Sequence, residues 1–159
     1  MTTSVPVSSR GFDTRLAAYA LIVRDGSILL ALWDMRGRDA SFVPRWTLPG
    51  GGVELGEAIE NGAVREVEEE TGYQVQIDEL LSVDSGTIPA HQRYSGTQTP
   101  MQTVAVLYSA TITGGELRDE TGGTTSAAAW FPLADVPSLN RVDRVDAAIA
   151  HHQRHQHLA

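Results

Sequence analysis

Three acidic side chains and their spacing suggest what chemistry this chain could do: Glu66, Glu69 and Glu70, with Glu57 upstream of them. Between Glu54 and Tyr73 stand seven glutamates and one arginine, Arg65, a formal charge of −6 out of −8 for the whole chain. Like charges at i,i+4 on a helix repel each other, so such a segment calls for a cation. Carboxylate oxygens without Cys or His beside them favour a hard divalent ion, Mg²⁺ or Mn²⁺, over zinc. Three glycines, Gly50, Gly51 and Gly52, precede the segment. Glycine lets the backbone approach a ligand closely. A divalent ion beside an open backbone suits phosphate chemistry.

The elements that must position these residues can be read next. Residues 57–71 read as a helix, with Gly72 as its C-terminal stop. At about 100° per residue, with Glu66 at zero, Ile59 falls at ~20°, Glu70 at ~40°, Ala63 at ~60° and Val67 at ~100°. Glu66 and Glu70 therefore share a face with the apolar stripe. Glu69 flanks that face at ~300°, while Glu68 at ~200° points away. Glu68 and Glu60 fit a solvated charge run. Glu66 and Glu70 do not, because a carboxylate beside a buried stripe must be desolvated.

Around this helix, Leu16 to Arg24 reads as a strand, Asp25-Gly26 as a hairpin turn and Ile28 to Trp33 as the partner strand. Residues 34–44 read as a surface loop, with Arg36, Arg38 and Arg45 in or beside it. Trp46 to Leu48 is a short strand. Val75 to Val83 is a strand, 84–100 a long loop, and Met101 to Thr113 a further strand. A turn at 121–125 leads into the strand Ala127 to Phe131, and residues 141–157 read as a final helix. Many strands with two helices, not strictly alternating, imply an α+β layered domain. Residues 1–14 read as a loose arm and 15–159 as a single domain.

Composition excludes several classes. The chain of 159 residues suits one substantial core. It has no cysteine, which excludes disulfides and thiolate chemistry and fits a reducing cytoplasm. No apolar run reaches the roughly 18 residues that span a bilayer, and the N-terminus lacks the apolar core of a secretory signal. The acidic balance argues against a nucleic-acid polymer as partner. It is compatible with a small anionic substrate, because a bound divalent ion inverts the local field. His151 and His155 stand at i,i+4 near the C-terminus, where adventitious metal binding is the plainer reading.

As a pattern, the acidic segment is G-x5-E-x7-R-E-U-x-E-E-x-G-U, where U is a bulky aliphatic. Gly51, Glu57, Arg65, Glu66, Val67, Glu69, Glu70 and Gly72 fall in place; Tyr73 departs from it, at a position where packing is at stake. This resembles the box of the Nudix hydrolase family. Trp46 to Gly52, Trp130 to Leu133 and Val136-Pro137 extend the likeness over 16–140. The resemblance implies the Nudix fold, a mixed β-sheet between helices in α/β/α layers. It implies hydrolysis of the diphosphate bond in a nucleoside diphosphate linked to another group. That substrate is a nucleoside triphosphate, an oxidised one included, or an ADP-ribose-like diphosphate sugar.

Carried over by position, Glu66, Glu69 and Glu70 hold Mg²⁺ (or Mn²⁺), with the Gly51 carbonyl as a further ligand. Glu66 or Glu69 handles the attacking water. Arg65 and Glu57 form a supporting pair, completing a catalytic set of five. Some members place a late-loop glutamate in the site; Glu120, near Glu116 and Asp119, is the local candidate. Arg36, Arg38, Arg45 and Glu120 are the candidate substrate contacts, with Arg93 a further arginine able to grip phosphate. Pro89, sixteen residues past Tyr73, stands where many ADP-ribose hydrolases of the family carry a proline. The implied partner is a small nucleotide-type molecule, and many members are homodimers. An alternative of another class is a Nudix-fold sensor that binds a nucleotide without turnover; the intact box argues against it.

Overall fold

One strand organises the architecture, β1, Asp13–Leu21. Successive side chains of a strand point to opposite faces, and from Ala17 to Leu21 both faces of this one are buried. Ala18 and Ala20 pack in clusters with Ala63 and Val67; Ala17, Tyr19 and Leu21 pack with Val145 and Ala148. That is why the sequence shows a continuous apolar run and no alternation.

The computed structural model describes residues 11–94 and 96–158. After β1 come β2 (Val23–Arg24), β3 (Ser27–Trp33), β4 (Arg45–Thr47), β5 (Gly50–Gly52) and the helix α1 (Ile59–Thr71). Then follow β6 (Tyr73–Ile88), β7 (Met101–Gly115), β8 (Thr125–Pro132) and α2 (Asp143–Gln156). Single 3₁₀ segments sit at Ala90–Gln92 and Leu133–Ser138. One sheet has the order β5-β1-β7-β6 and is mixed, because β1 runs parallel to β7 and its other pairs are antiparallel. In the second, antiparallel sheet β3 pairs with β2, β4 and β8. The mixed sheet lies between the apolar clusters of the two helices, an α+β arrangement.

The observed elements differ from the sequence reading in several places. The strand expected over Leu16 to Arg24 does not pair as a whole with β3: β1 ends at Leu21 in the other sheet, and only β2 forms the hairpin with β3. β1 begins at Asp13, so Asp13 and Thr14 belong to the sheet and not to an arm; pairing with Met101 and Gln102 draws in residues that carry no strand signal of their own. Residues 1–10 of that expected arm lie outside the described residues. β6 continues to Ile88, five residues past its expected end, which shortens the long loop. Its second half is mostly exposed and polar, so no apolar alternation marks it. β7 templates it across three register shifts. Finally, α1 starts at Ile59, not at 57. Glu57 stays outside the helix because its carboxylate is held by Arg65.

Gly72 ends α1 in the left-handed conformation, φ 79°, and its N–H donates to the Glu68 carbonyl at 2.9 Å. A Cβ there would stand 2.2 Å from the Glu116 carbonyl oxygen. Left-handed strain and a backbone clash then act together. Gly72→Ala is expected to lower stability by about 2–4 kcal/mol, read as a fall in the urea midpoint. An unchanged midpoint would mean that the Glu116 loop yields freely.

Candidate active site

The short strand β5 lays three glycines along β1, with Gly50 opposite Tyr19, Gly51 opposite Ala18 and Gly52 opposite Ala17. Helix α1 packs on this strand pair through its inner stripe of Gly62, Ala63, Val67, Glu70 and Thr71. Glu70 is thus a carboxylate on an apolar face, only 4% exposed. Its Oε2 accepts the Gly50 N–H at 2.9 Å. Burial pushes its pKa up to about 9; the Gly50 amide pulls it down, and Glu66, Glu120 and Glu69 push it further up.

Glu66 lies one turn earlier, against Gly51. A Cβ on Gly51 would come within 2.8 Å of its carboxyl carbon, so a larger residue there would push the carboxylate from its present place. Burial raises the Glu66 pKa as well; Arg65 opposes that, while Glu69 and Glu120 add to it. Glu69 stands at the rim with half its side chain exposed. Glu68 and Glu60 are exposed.

Arg65 ties the cluster to the loop before the helix. Its Nε and Nη2 donate to the two oxygens of Glu57 at 2.8 and 3.0 Å, a fork on a carboxylate. The Nη2 also donates to the Gly52 carbonyl at 3.0 Å, and Nη1 to Glu66 at 3.0 Å and Glu69 at 3.2 Å. These bonds lower the Glu57 pKa and raise that of Arg65 beyond its already high value.

Glu120 comes from the loop between β7 and β8. It accepts the Thr125 N–H at 3.1 Å and the Thr125 hydroxyl, and it faces the α1 acids closely enough to raise the pKa of both Glu66 and Glu70. Asp119 closes the same loop by accepting the Ala128 N–H at 3.0 Å. Glu116 is at the other end of α1, over Gly72.

The arginines proposed from sequence as phosphate contacts are mostly engaged elsewhere. Arg36 forks Asp34, with its Nε 2.9 and 3.1 Å from the two oxygens, and holds the Asp34 pKa down at about 2. The Arg45 guanidinium sits 5.2 Å from the Trp33 ring centre. Arg93 donates to Asp13 at 2.7 Å and to the Thr99 carbonyl at 2.6 Å. Arg38 is exposed, with no side-chain partner among the described residues. Sequence reasoning passed over Arg15, whose Nη2 lies 3.7 Å from where a Gly52 Cβ would be. The only signal for it is the strand register that sets Ala17 against Gly52. Tyr73, the departing position of the box, is buried and accepts the Trp130 Nε1–H at 3.3 Å, a packing role. His151 pairs with Arg154.

Among the described residues, no three Asp, Glu or His side chains are already gathered into a finished metal cage. The acids are divided between Arg65 and the Gly50 amide. Their chemistry still fits a hard divalent ion. Glu66, Glu69, Glu70 and Glu120 repel one another, Glu70 is buried with a single donor, and Glu66 lies on the bare backbone of Gly51. A cation between them would offset that repulsion, and an all-oxygen donor set suits a hard divalent ion.

Comparison with known proteins agrees with this geometry. The family model for the NUDIX domain matches residues 13–153. The ADP-ribose pyrophosphatase of Methanocaldococcus jannaschii is 31% identical, over 78% of this chain and 65% of that protein. A putative 8-oxo-dGTP diphosphatase of Bacillus subtilis is 36% identical, over 62% of this chain and 61% of that protein. Of its curated relatives' lengths the chain spans from 22% in one to 79% in another. The crystal structure of the MutT NUDIX hydrolase from Burkholderia pseudomallei superposes with a TM-score of 0.64 at 30% identity, covering 87% of this chain and 98% of that one. With a domain match that covers nearly the whole described chain, and a fold and box arrangement to go with it, the chain belongs to the Nudix hydrolase family.

Proposed function

We propose that this chain is a Mg²⁺-dependent pyrophosphohydrolase that cleaves the diphosphate bond of a nucleoside diphosphate linked to another group. The observation that carries the reading is the pair of desolvated carboxylates on the glycine strand: Glu70 on the Gly50 amide and Glu66 against Gly51. Nucleoside triphosphates and ADP-ribose-like diphosphate sugars are the two substrate classes, in keeping with the names of the two relatives above.

Glu66, Glu69 and Glu70 would hold Mg²⁺ (or Mn²⁺), with the Gly51 carbonyl as a further ligand. When bound, the ion supplies charge neutralisation for the diphosphate and a lowered pKa for a bound water. The chain's own residues do the rest. The Gly50 N–H fixes the Glu70 carboxylate, and Arg65 clamps Glu57 and the Gly52 carbonyl so that strand and helix keep their spacing. Glu66 or Glu69 takes the proton of the attacking water, a step that needs a carboxylate within reach of it. Glu120, held by Thr125, adds a further acid that bears on Glu66 and Glu70.

A panel of nucleotides incubated with Mg²⁺, with products identified by mass, tests this. Pyrophosphate release marks the triphosphate class, and release of two monophosphate products marks the diphosphate sugar class. No product from any nucleotide would overturn the reading.

A further inference from the structure

Most of the aromatic side chains belong to the core. Tyr19, Trp46 and Phe131 pack on the α2 side, Tyr73 and Trp130 with Val67 of α1, and Tyr108 with Ala63. Trp33, Phe42 and Tyr94 join none of these clusters. They meet one another instead. Phe42 stands edge-on to Trp33, with ring centres 4.8 Å apart at 67°, and edge-on to Tyr94, 6.4 Å apart at 71°. No two of these rings lie face to face, so their flat faces are left without a ring partner. Tyr94 is 49% exposed, and Val43, next to Phe42 in the chain, is 66% exposed. Core packing does not account for three large rings gathered at the surface.

The three rings come from separate parts of the chain. Trp33 ends β3, Phe42 lies in the loop to β4, and Tyr94 lies in the loop after β6. Strand register places them beside the acids. Leu29 packs with Val67 of α1. The register shift between Ala31 and Trp33 puts the extra residue in β8, so β3 keeps its alternation and Trp33 points to the same face as Leu29. Trp33 is paired directly with Thr125 of β8. Side chains of opposed residues share a face, with Cβ atoms about 4.5–5.5 Å apart. The Thr125 hydroxyl donates to Glu120, the acid that bears on Glu66 and Glu70. The indole is therefore the direct neighbour of the residue that holds Glu120. On its other side β4 pairs Arg45 with Trp33, and the guanidinium 5.2 Å from the ring centre holds the indole on this face.

We propose that Trp33, Phe42 and Tyr94 form the wall on which the nucleobase of the substrate stacks, one strand pair away from the acids that act on its diphosphate. The ligand chemistry follows from the rings. A flat aromatic face takes another π-system, and such stacking tolerates any base. Ribose and phosphate offer no π-face. The wall therefore selects for an aromatic group on the diphosphate and leaves the choice among bases to hydrogen bonds at their edges. Because Phe42 and Tyr94 come from two different loops, the wall is complete only when those loops meet. This inference rests on the hydrolase reading above.

The first variants are Tyr94→Ala and Phe42→Ala, since loop rings outside the core clusters can be removed without loss of the fold. With Mg²⁺ and a nucleoside triphosphate, each is expected to raise KM about 10-fold, within the range that stacking on one ring contributes, and to move kcat far less. Tyr94→Phe keeps the ring and should recover most of the loss; Tyr94→Leu is apolar without a π-face and should not. A second readout needs no turnover. Tryptophan emission of the Mg²⁺-loaded protein should be quenched by AMP, GMP, CMP or UMP and not by ribose 5-phosphate, which lacks the base. Trp33→Phe should remove that quenching although Trp46 and Trp130 remain. An unchanged KM in either alanine variant, ribose 5-phosphate acting as the nucleotides do, or quenching that survives Trp33→Phe would overturn the proposal. If wild type hydrolyses no nucleotide, the hydrolase reading fails, and the emission titration still decides the wall. Base-dependent quenching that needs Trp33 upholds it, and its absence overturns it.

Discussion

Glu70→Gln is expected to abolish metal-dependent turnover while stabilising the metal-free protein at neutral and alkaline pH. The loss of turnover follows from removing a charged ligand from the ion site, a fall of at least about 10³-fold, or ~4 kcal/mol of barrier. The gain in stability follows from burial. The Glu70 pKa is pushed from 4.5 up to about 9 in the folded chain, with burial the first cause. A carboxyl with a raised folded pKa contributes its full stability below the unfolded pKa and loses it as pH rises through the folded one. Metal-free wild type should therefore weaken between pH 4.5 and 9, by on the order of 3 kcal/mol by pH 7. The glutamine is neutral throughout, and its carbonyl oxygen still accepts the Gly50 N–H. In urea unfolding with a chelator, the wild-type midpoint should fall from pH 5 to pH 8 and the variant's should fall less, by the share that Glu66 contributes. With Mg²⁺ the order should reverse, since the ion binds the deprotonated carboxylate and stabilises only the protein that holds it. A variant that turns over at the wild-type rate would remove Glu70 from the site. Parallel pH curves would remove the burial argument.

The acids of α1 were legible in the sequence because a helix is local. Placing residues at a fixed angle sorts Glu70 inward and Glu68 outward without knowledge of the rest of the chain, and the accessibilities agree. Gly72 was legible for the same reason: a left-handed stop lies next to what it stops. What strand pairing decides was not legible. β6 runs to Ile88 only because β7 offers a partner for its polar half, and β1 reaches back to Asp13 for a like reason. The arginines show the same limit at the level of the site. From sequence, Arg36 and Arg45 are as free as any loop arginine. In the fold Asp34 and Trp33 claim them, while Arg15, on an ordinary-looking strand, is set over Gly52. Glu120 could be named as a candidate, but its influence on Glu66 and Glu70 depends on Thr125 and the β8 pairing, far along the chain.

Arg65→Ala is expected to damage both stability and rate, through geometry and not through contact with substrate. Arg65 is a positioning residue: its five hydrogen bonds join Glu57, Gly52, Glu66 and Glu69, so strand, loop and helix share one guanidinium. The bonds to Glu57 and Gly52 are partly buried and carry most of the effect, whereas Glu69 is half exposed and its bond is screened by solvent. Breaking such a pair from one side leaves Glu57 and the Gly52 carbonyl without their donor, which should lower the urea midpoint. Misplacing Glu66 by even an ångström should lower kcat about 10²-fold. Arg65→Lys keeps the charge but cannot fork Glu57 and reach Gly52 at once, so it should restore little of the loss. A second readout separates this from plain destabilisation. Arg65 holds the Glu66 pKa down against burial. Without Arg65 that pKa rises further, and the acid limb of the pH–rate profile should move to higher pH. A double-mutant cycle with Glu57→Ala should show non-additive coupling in stability. An additive cycle with an unmoved acid limb would mean that Arg65 neither fixes the loop nor tunes Glu66.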